Sequence, residues 1–298
     1  MRRRPRIGVA LGGGAARGWS HIGVLEALAE RGIVPDVVAG TSIGALVGGA
    51  FAAGQLERLH RWVETLRWQD VVGYLDPAFN GGLIGGRRLF EFFRRHFEDR
   101  PIEALERPFG ATATDIESGR EVWLREGSLL EAVRASIALP GLFTPLARDG
   151  RLLVDGGLVD PVPVSLCRAL GADLVIAVDL NADLMRRPPQ RPAAEGDDEE
   201  EGETGRLRAL LRLGAEELRR RLQREDGPSL IDVVLRSIHI MQYRITRSRM
   251  AGDPPDLLLA PRVGGIALME FHRAAEAVAA GREAVDRAGA AIADLLRP

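Results

Sequence analysis

The sequence predicts an α/β fold in which buried parallel strands alternate with helices. Three observations carry that expectation. Residues 6 to 11 form an apolar run that ends in Gly12-Gly13-Gly14-Ala15-Ala16-Arg17-Gly18, and a helical rhythm of Ile22, Leu25, Leu28 and Ala29 follows, closed by Gly32. A second apolar run, Val37-Val38-Ala39, leads into Gly40-Thr41-Ser42-Ile43-Gly44 and then a small-residue helix from Ala45 to Ala53. Strand, glycine turn, helix, strand is the start of a right-handed βαβ unit. Far downstream, Asp173 to Leu180 is a continuous apolar strand between acids, as a parallel strand covered on both faces would be.

Composition sets the frame. At 298 residues, with 46% hydrophobic and 28% charged side chains, the chain has the makeup of a soluble globular protein of one large α/β domain or two small ones. A net charge of −2 gives no argument for a nucleic-acid partner. All 40 basic residues are arginine, which excludes a lysine nucleophile or Schiff base. Cys167 is the single cysteine, so neither an intrachain disulfide nor a cysteine-based zinc cluster can form, and a packed thiol is expected. No apolar run reaches the roughly 18 residues of a membrane span. Met1-Arg2-Arg3-Arg4-Pro5 starts like an export signal, but the apolar stretch after it is short and glycine-rich, so the cytoplasm is the expected compartment.

The middle of the chain reads as follows. Leu56 to Arg100 is helical with breaks, with Trp62, Leu66 and Trp68 as packing residues and Phe90, Phe93 and Phe97 on an aromatic-bearing core helix from Arg87 to Phe97. Asn80 to Gly86 reads as a flexible turn bordering a site opening. Phe109 to Asp115 alternates like a strand and continues as a hairpin into Arg120 to Leu124. Leu129 to Leu139 is a helix stopped by Pro140-Gly141, and Arg151 to Val154 is a strand that delivers Asp155-Gly156-Gly157. Leu257 to Leu259 is a late strand and Arg273 to Leu296 a closing helix.

The chemistry centres on Ser42. A serine flanked by Gly40 and Gly44 suits a sharp strand-to-helix turn, where the chain is pinched and the hydroxyl is thrown outward at a helix N-terminus. The positive end of that helix favours negative charge forming beside it. The first glycine loop has three readings. A dinucleotide fingerprint lacks its acid at the end of the second strand, and a P-loop lacks its Gly-Lys-Ser/Thr. The third is a cradle of backbone N–H groups for a developing oxyanion. An activated serine also needs a base. By chain order only His239 and His272 suit a hydrolase triad, and both fall within expected helices, away from a strand's C-terminal edge. The alternative is a carboxylate acting alone. Asp155 is placed for that at a strand end, although an aspartate before two glycines is also an ordinary turn former.

In this order, GGGAARG after the first strand, GTSIG after the second and DGG far downstream resemble the patatin-like phospholipases. Ala135 to Pro145 is similar to that family's segment ahead of its DGG, and Leu257 to Gly281 to the tail of its short bacterial members. The resemblance implies a three-layer α/β/α sandwich with a mostly parallel sheet. It implies a Ser-Asp dyad, with Ser42 as nucleophile and Asp155 as general base. The amides of Gly13, Gly14 and Ala15 would be the oxyanion hole, and the reaction would be hydrolysis of lipid-like carboxylic esters without metal or cofactor. One departure is visible: the family commonly has glycine at the position of Ala15, which an alanine of negative φ would serve equally. The rival from another class is a non-catalytic regulatory protein that retains the patatin-like frame.

The expected organisation is a catalytic core over residues 6–180, a Pro/acidic/Arg-rich insertion, partly disordered, over 181–228, and helices with a late strand over 229–298 that complete the same domain. Within the insertion, Glu195 to Glu203 carries seven acids in nine positions, and seven arginines lie between Arg206 and Arg224 opposite a leucine face. That helix is read as a solvated arm or dimer contact, with a peripheral seat on the anionic inner membrane surface as the sharper alternative. The partners expected are a lipid or ester substrate and no nucleic acid; oligomeric state stays open.

Overall fold

The computed structural model describes residues 3–74, 82–84, 87–183 and 230–295. The chain partitions into one unit made of Met1–Pro188 and His239–Pro298 and a second made of Pro189–Ile238. The expected acidic run and arginine-bearing helix lie outside the described residues.

In chain order the elements begin β1 (Ile7–Leu11), α1 (Ser20–Glu30), β2 (Val37–Thr41), α2 (Ile43–Ala52), α3 (Leu56–Thr65), α4 (Trp68–Tyr74) and β3 (Gly82–Ile84). There follow α5 (Arg87–His96), β4 (Phe109–Asp115), β5 (Glu121–Leu124), α6 (Leu129–Ser136), β6 (Gly141–Phe143), β7 (Leu146–Arg148) and β8 (Arg151–Asp155). The last are α7 (Val164–Ala169), β9 (Leu174–Val178), α8 (Leu230–Gly252), β10 (Leu257–Leu259), α9 (Ala274–Arg287) and α10 (Gly289–Leu295).

The main sheet runs β10-β9-β1-β2-β4-β8-β7, with β5 also on β4. From β10 to β4 every pair is parallel. Strand alternation sorts the apolar side chains into two layers of core. Ile7, Val9 and Leu11 of β1, Val38 of β2 and Ile176 and Val178 of β9 face a large cluster built with α1, α2 and α9. Ala10, Val37, Ala39, Val175 and Ala177 face a smaller one with Leu166 and Cys167 of α7. Both faces are therefore covered, which gives the three-layer sandwich and explains why β1, β2 and β9 read as unbroken apolar runs. Helices α1 and α9 meet at glycine contacts: a Cβ on Gly23 would lie 2.0 Å from the Val278 carbonyl oxygen, and one on Gly281 2.0 Å from that of Ser20.

The far end of the sheet is antiparallel, and it positions the site. Residues Ala111 and Thr112 of β4 are partnered by β2 on one edge and β5 on the other. Ala113 and Thr114 are partnered by β5 and β8. Strand β8 therefore lies on the same edge of β4 as β2. Because β2 runs parallel to β4 and β8 antiparallel to it, their C-terminal ends meet head to head, Thr41 opposite Thr112 and Asp155 opposite Ala113.

Several local expectations change. The helix from Leu129 ends at Ser136 rather than Leu139: Ile137 caps it at φ −95° and ψ 3°, and Leu139, directly before Pro140, is driven toward extended backbone. The closing helix is two, α9 and α10, divided at Ala288, directly before Gly289, whose poor helix propensity weakens the continuation. Within the expected turn at Asn80 to Gly86, Gly82–Ile84 is instead a short strand paired with β6. Trp68 is 53% exposed and sets its ring edge-on against His272 rather than packing in the core. His272 stands in the turn before α9, not within a helix. Phe90, Phe93 and Phe97 are buried as expected.

Candidate active site

Ser42 is the N-cap of α2 and takes φ 57° and ψ −125°, a backbone conformation in which a residue with a side chain is strained. Two contacts hold it there. Its N–H donates to Ser136 Oγ at 2.8 Å, and Ser136 Oγ in turn donates to the Thr112 carbonyl at 2.7 Å. Thr41, one residue earlier, donates through Oγ1 to the Asp160 carbonyl at 2.8 Å. The flanking glycines are there for close approach: a Cβ on Gly44 would stand 2.1 Å from the Leu11 carbonyl oxygen, and one on Gly40 2.5 Å from that of Gly44. The pinch predicted from the G-x-S-x-G spacing is thus a backbone-on-backbone contact between the turn and the end of β1.

Asp155 meets Ser42 from the opposing strand end. Ser42 Oγ donates to Asp155 Oδ2 at 2.6 Å, and the other carboxylate oxygen, Oδ1, accepts the Gly157 N–H at 2.7 Å. The Asp155 main chain is pinned by its N–H to the Ala138 carbonyl at 2.9 Å and by Thr114 Oγ1, which donates to its carbonyl at 2.8 Å. The aspartate is 2% exposed, while Ser42 keeps part of its surface open. Burial raises the Asp155 carboxyl to about 6, against the lowering effect of the hydrogen bonds from Ser42 and Gly157.

The glycine loop lies alongside; a Cβ on Gly13 would stand 3.4 Å from the Ser42 Cβ. Of the three amides expected to hold an oxyanion, that of Gly13 donates to the Pro161 carbonyl at 3.0 Å. The amides of Gly14 and Ala15 donate to no acceptor among the described residues. Two carbonyls of the loop are held from elsewhere: Gly12 O accepts His21 Nε2–H at 2.8 Å, and Gly14 O accepts Arg17 Nε–H at 3.1 Å. Ala15 takes φ +50°, not the negative φ expected of an alanine here. At that angle an alanine crowds its own carbonyl, which is the physical reason to expect glycine at this position. Ala15→Gly is expected to stabilise the fold by about 0.5–1 kcal/mol, read as a shifted denaturant midpoint at unchanged slope.

Neither late histidine stands beside the serine. His239 Nε2 pairs with Arg17 Nη2 at 3.0 Å, and His272 lies against Trp68. His21, buried under the loop, is driven down to about 4 by its burial. The sequence reading passed over Ser136, Arg17 and His21. Two lay inside segments it singled out, GGGAARG and Ala135 to Pro145, but their contacts are with backbone groups and a histidine remote along the chain, which residue type does not announce. Among the described residues no cluster of three or more His, Cys, Asp or Glu could hold a metal ion, and no helix is long and apolar enough to cross a membrane.

The family model described as patatin-like phospholipase matches residues 9–168, which include the glycine loop, Ser42 and Asp155. An uncharacterised NTE family protein of Mycobacterium tuberculosis is 36% identical, over 93% of this chain and 89% of its own length. The human patatin-like phospholipase domain-containing protein 6 is 36% identical over 59% of this chain but only 13% of its own length. Lysophospholipase nte1 of Emericella nidulans is 34% identical over 59% of this chain and 12% of its own. With the match spanning more than half of the chain and the mycobacterial relative aligned almost end to end, the protein belongs to the patatin-like phospholipase family.

Proposed function

We propose that the protein is a serine acyl hydrolase of lipid carboxylic esters that works through a Ser42–Asp155 dyad. The observation that carries this reading is the 2.6 Å hydrogen bond from Ser42 Oγ to a buried carboxylate, on a strained strand-to-helix turn. As Ser42 Oγ attacks the ester carbonyl carbon, its proton passes to Asp155 Oδ2. Gly157 N–H fixes the other oxygen, so the accepting lone pair stays aimed at the serine. A carboxyl raised to about 6 is a stronger base than a solvated one and is still ionised at neutral pH. The carbonyl oxygen, now negative, is received by the Gly14 and Ala15 amides and the positive end of α2. Collapse of the tetrahedral intermediate returns the proton from Asp155 to the leaving alcohol and leaves an acyl-serine. Water then attacks, giving its proton to Asp155, and the acid departs with Ser42 restored.

That the ester belongs to a lipid rests on family membership and on relatives whose names specify phospholipase and lysophospholipase. A fluorophosphonate probe tests the serine's reactivity directly. Covalent labelling at Ser42, lost in Ser42→Ala and accompanied by release of fatty acid from lysophospholipid, is the expected result. An unlabelled, correctly folded protein would instead favour a regulatory role for the retained frame.

A further inference from the structure

His239 was a candidate base on chain order alone, and the mechanism above has no use for it. Its surroundings give it another task. Helix α8 carries polar residues along the side it turns toward the site: His239, Gln242 and Arg249 stand at i, i+3 and i+10, within an arc of about 80°. Arg249 Nε pairs with Asp160 Oδ1 at 3.2 Å. Gln242 lies against the turn after Asp155, since a Cβ on Gly157 would come within 2.5 Å of its Nε2. His239 Nε2 meets Arg17 Nη2 at 3.0 Å.

Arg17 is 1% exposed, and a guanidinium so deeply buried needs its donors taken up. It can only donate, so His239 Nε2 must be the accepting nitrogen and the imidazole must be neutral. That state is favoured here, because burial and the neighbouring Arg17 charge hold His239 down at about 4. Asp179 faces the same guanidinium and offsets its charge. Thus seated, Arg17 donates through Nε to the Gly14 carbonyl. In a planar trans peptide the C=O of Gly14 and the N–H of Ala15 point in opposite directions. Holding the carbonyl on the Arg17 side therefore turns the Ala15 N–H to the other side. The grip is needed because Ala15 sits at φ +50°, and a flip of the Gly14–Ala15 peptide would let it relax.

We propose that His239 is a positioning residue of the oxyanion loop: as a neutral acceptor it seats Arg17, which fixes the Gly14–Ala15 peptide with the Ala15 amide available to the reacting oxygen. This rests on the Ser42 reading above. Its loss misplaces one donor that matters most in the transition state, so it acts on kcat rather than KM.

The test uses the full chain and three variants, His239→Leu, His239→Gln and His239→Leu with Ala15→Gly. Fluorophosphonate labelling of Ser42 and the kcat and KM for a short-chain ester are measured at a temperature well below the melting point of every variant, so that each is fully folded and a change in stability does not enter the rates. His239→Leu is expected to lower both labelling rate and kcat by about 10- to 100-fold, less than the loss of a whole oxyanion donor, with KM within about twofold. Glutamine, whose Oε1 can accept from Arg17, is expected to restore most of the rate. Ala15→Gly is expected to recover part of the leucine variant's loss, because a glycine needs no grip to stay at positive φ; a merely structural histidine would show no such rescue. Should His239→Leu fail to fold, the glutamine variant against His239→Met at reduced temperature reads the same difference. Labelling at the parent rate in the leucine variant, or a loss that Ala15→Gly leaves untouched, overturns the inference while the Ser42 reading stands. A parent protein that does not label at all overturns both.

Discussion

An Asp155→Asn variant is expected to lose ester turnover by about 10³–10⁴-fold while resisting unfolding at pH 8 better than the parent protein. Both effects come from the same burial. Burial raises the proton affinity of the Asp155 carboxylate to about 6 from an unfolded value near 3.8, against the pull of the hydrogen bonds it accepts from Ser42 and Gly157. For an acid shifted upward, the folded state binds the proton more tightly than the unfolded one. Above pH 6 the folded protein must hold an ionised group it disfavours, at a cost of about 3 kcal/mol. That cost shrinks as pH falls from 6 toward 4 and disappears below the unfolded value. Asparagine has the same shape, can accept from Gly157 and donate to Ser42 Oγ, and never ionises. Its stabilising effect should therefore be largest at pH 8 and fade toward pH 4 in paired melting curves. It cannot take a proton from the serine, and turnover goes. In the parent protein the rate should climb with pH through about 6 and then level, as the base ionises. Full turnover in the variant, or a parent profile flat across that range, would remove Asp155 from the reaction.

The two halves of this site were unequally legible in the sequence. Ser42 was marked by its place between two glycines at a strand-to-helix junction, a pattern a plain serine-bearing tight turn also satisfies until the glycine loop and DGG are read with it, and the backbone contacts of Gly40 and Gly44 are the reason those residues are glycine. Asp155 read equally well as a turn former and rose above that only through resemblance. Its meeting with Ser42 depends on β8 running antiparallel along the edge of β4 that β2 vacates, a register no local pattern encodes. The parallel strands were visible as apolar runs because helices cover both of their faces. Two backbone features of the glycine loop were not legible, for a common reason. The Gly13 N–H is taken up by the Pro161 carbonyl, remote along the chain, and Ala15 sits at positive φ beside a Gly14 carbonyl that accepts from Arg17. Both are tertiary constraints on backbone, and side-chain identity carries almost no trace of them.

Ser42 allows catalysis and strain to be separated by two substitutions at one position. Ser42→Ala and Ser42→Gly each delete the hydroxyl, and each is expected to reduce turnover by about 10⁴-fold or more, the scale on which losing a nucleophile acts. They part company in stability. Both leave Asp155 Oδ2 without the Ser42 donor, so that effect cancels between them. What remains is the backbone at φ 57° and ψ −125°, where an alanine keeps the strain of a Cβ and a glycine does not. Relief of about 1–3 kcal/mol is opposed by the wider freedom of glycine in the unfolded chain, about 0.5–1 kcal/mol, so the glycine variant should be the more stable by about 1 kcal/mol. At 298 residues that is a rise in melting temperature of about 1–2 °C over the alanine variant. A glycine variant that melts at or below the alanine one would mean that the turn holds Ser42 without strain, and that the conformation is simply the one the two pinching glycines leave open. A higher melting point would mean the fold is held slightly above its minimum at the one residue where the hydroxyl must face the substrate, with the Ser136 hydroxyl at its N–H opposing its relaxation.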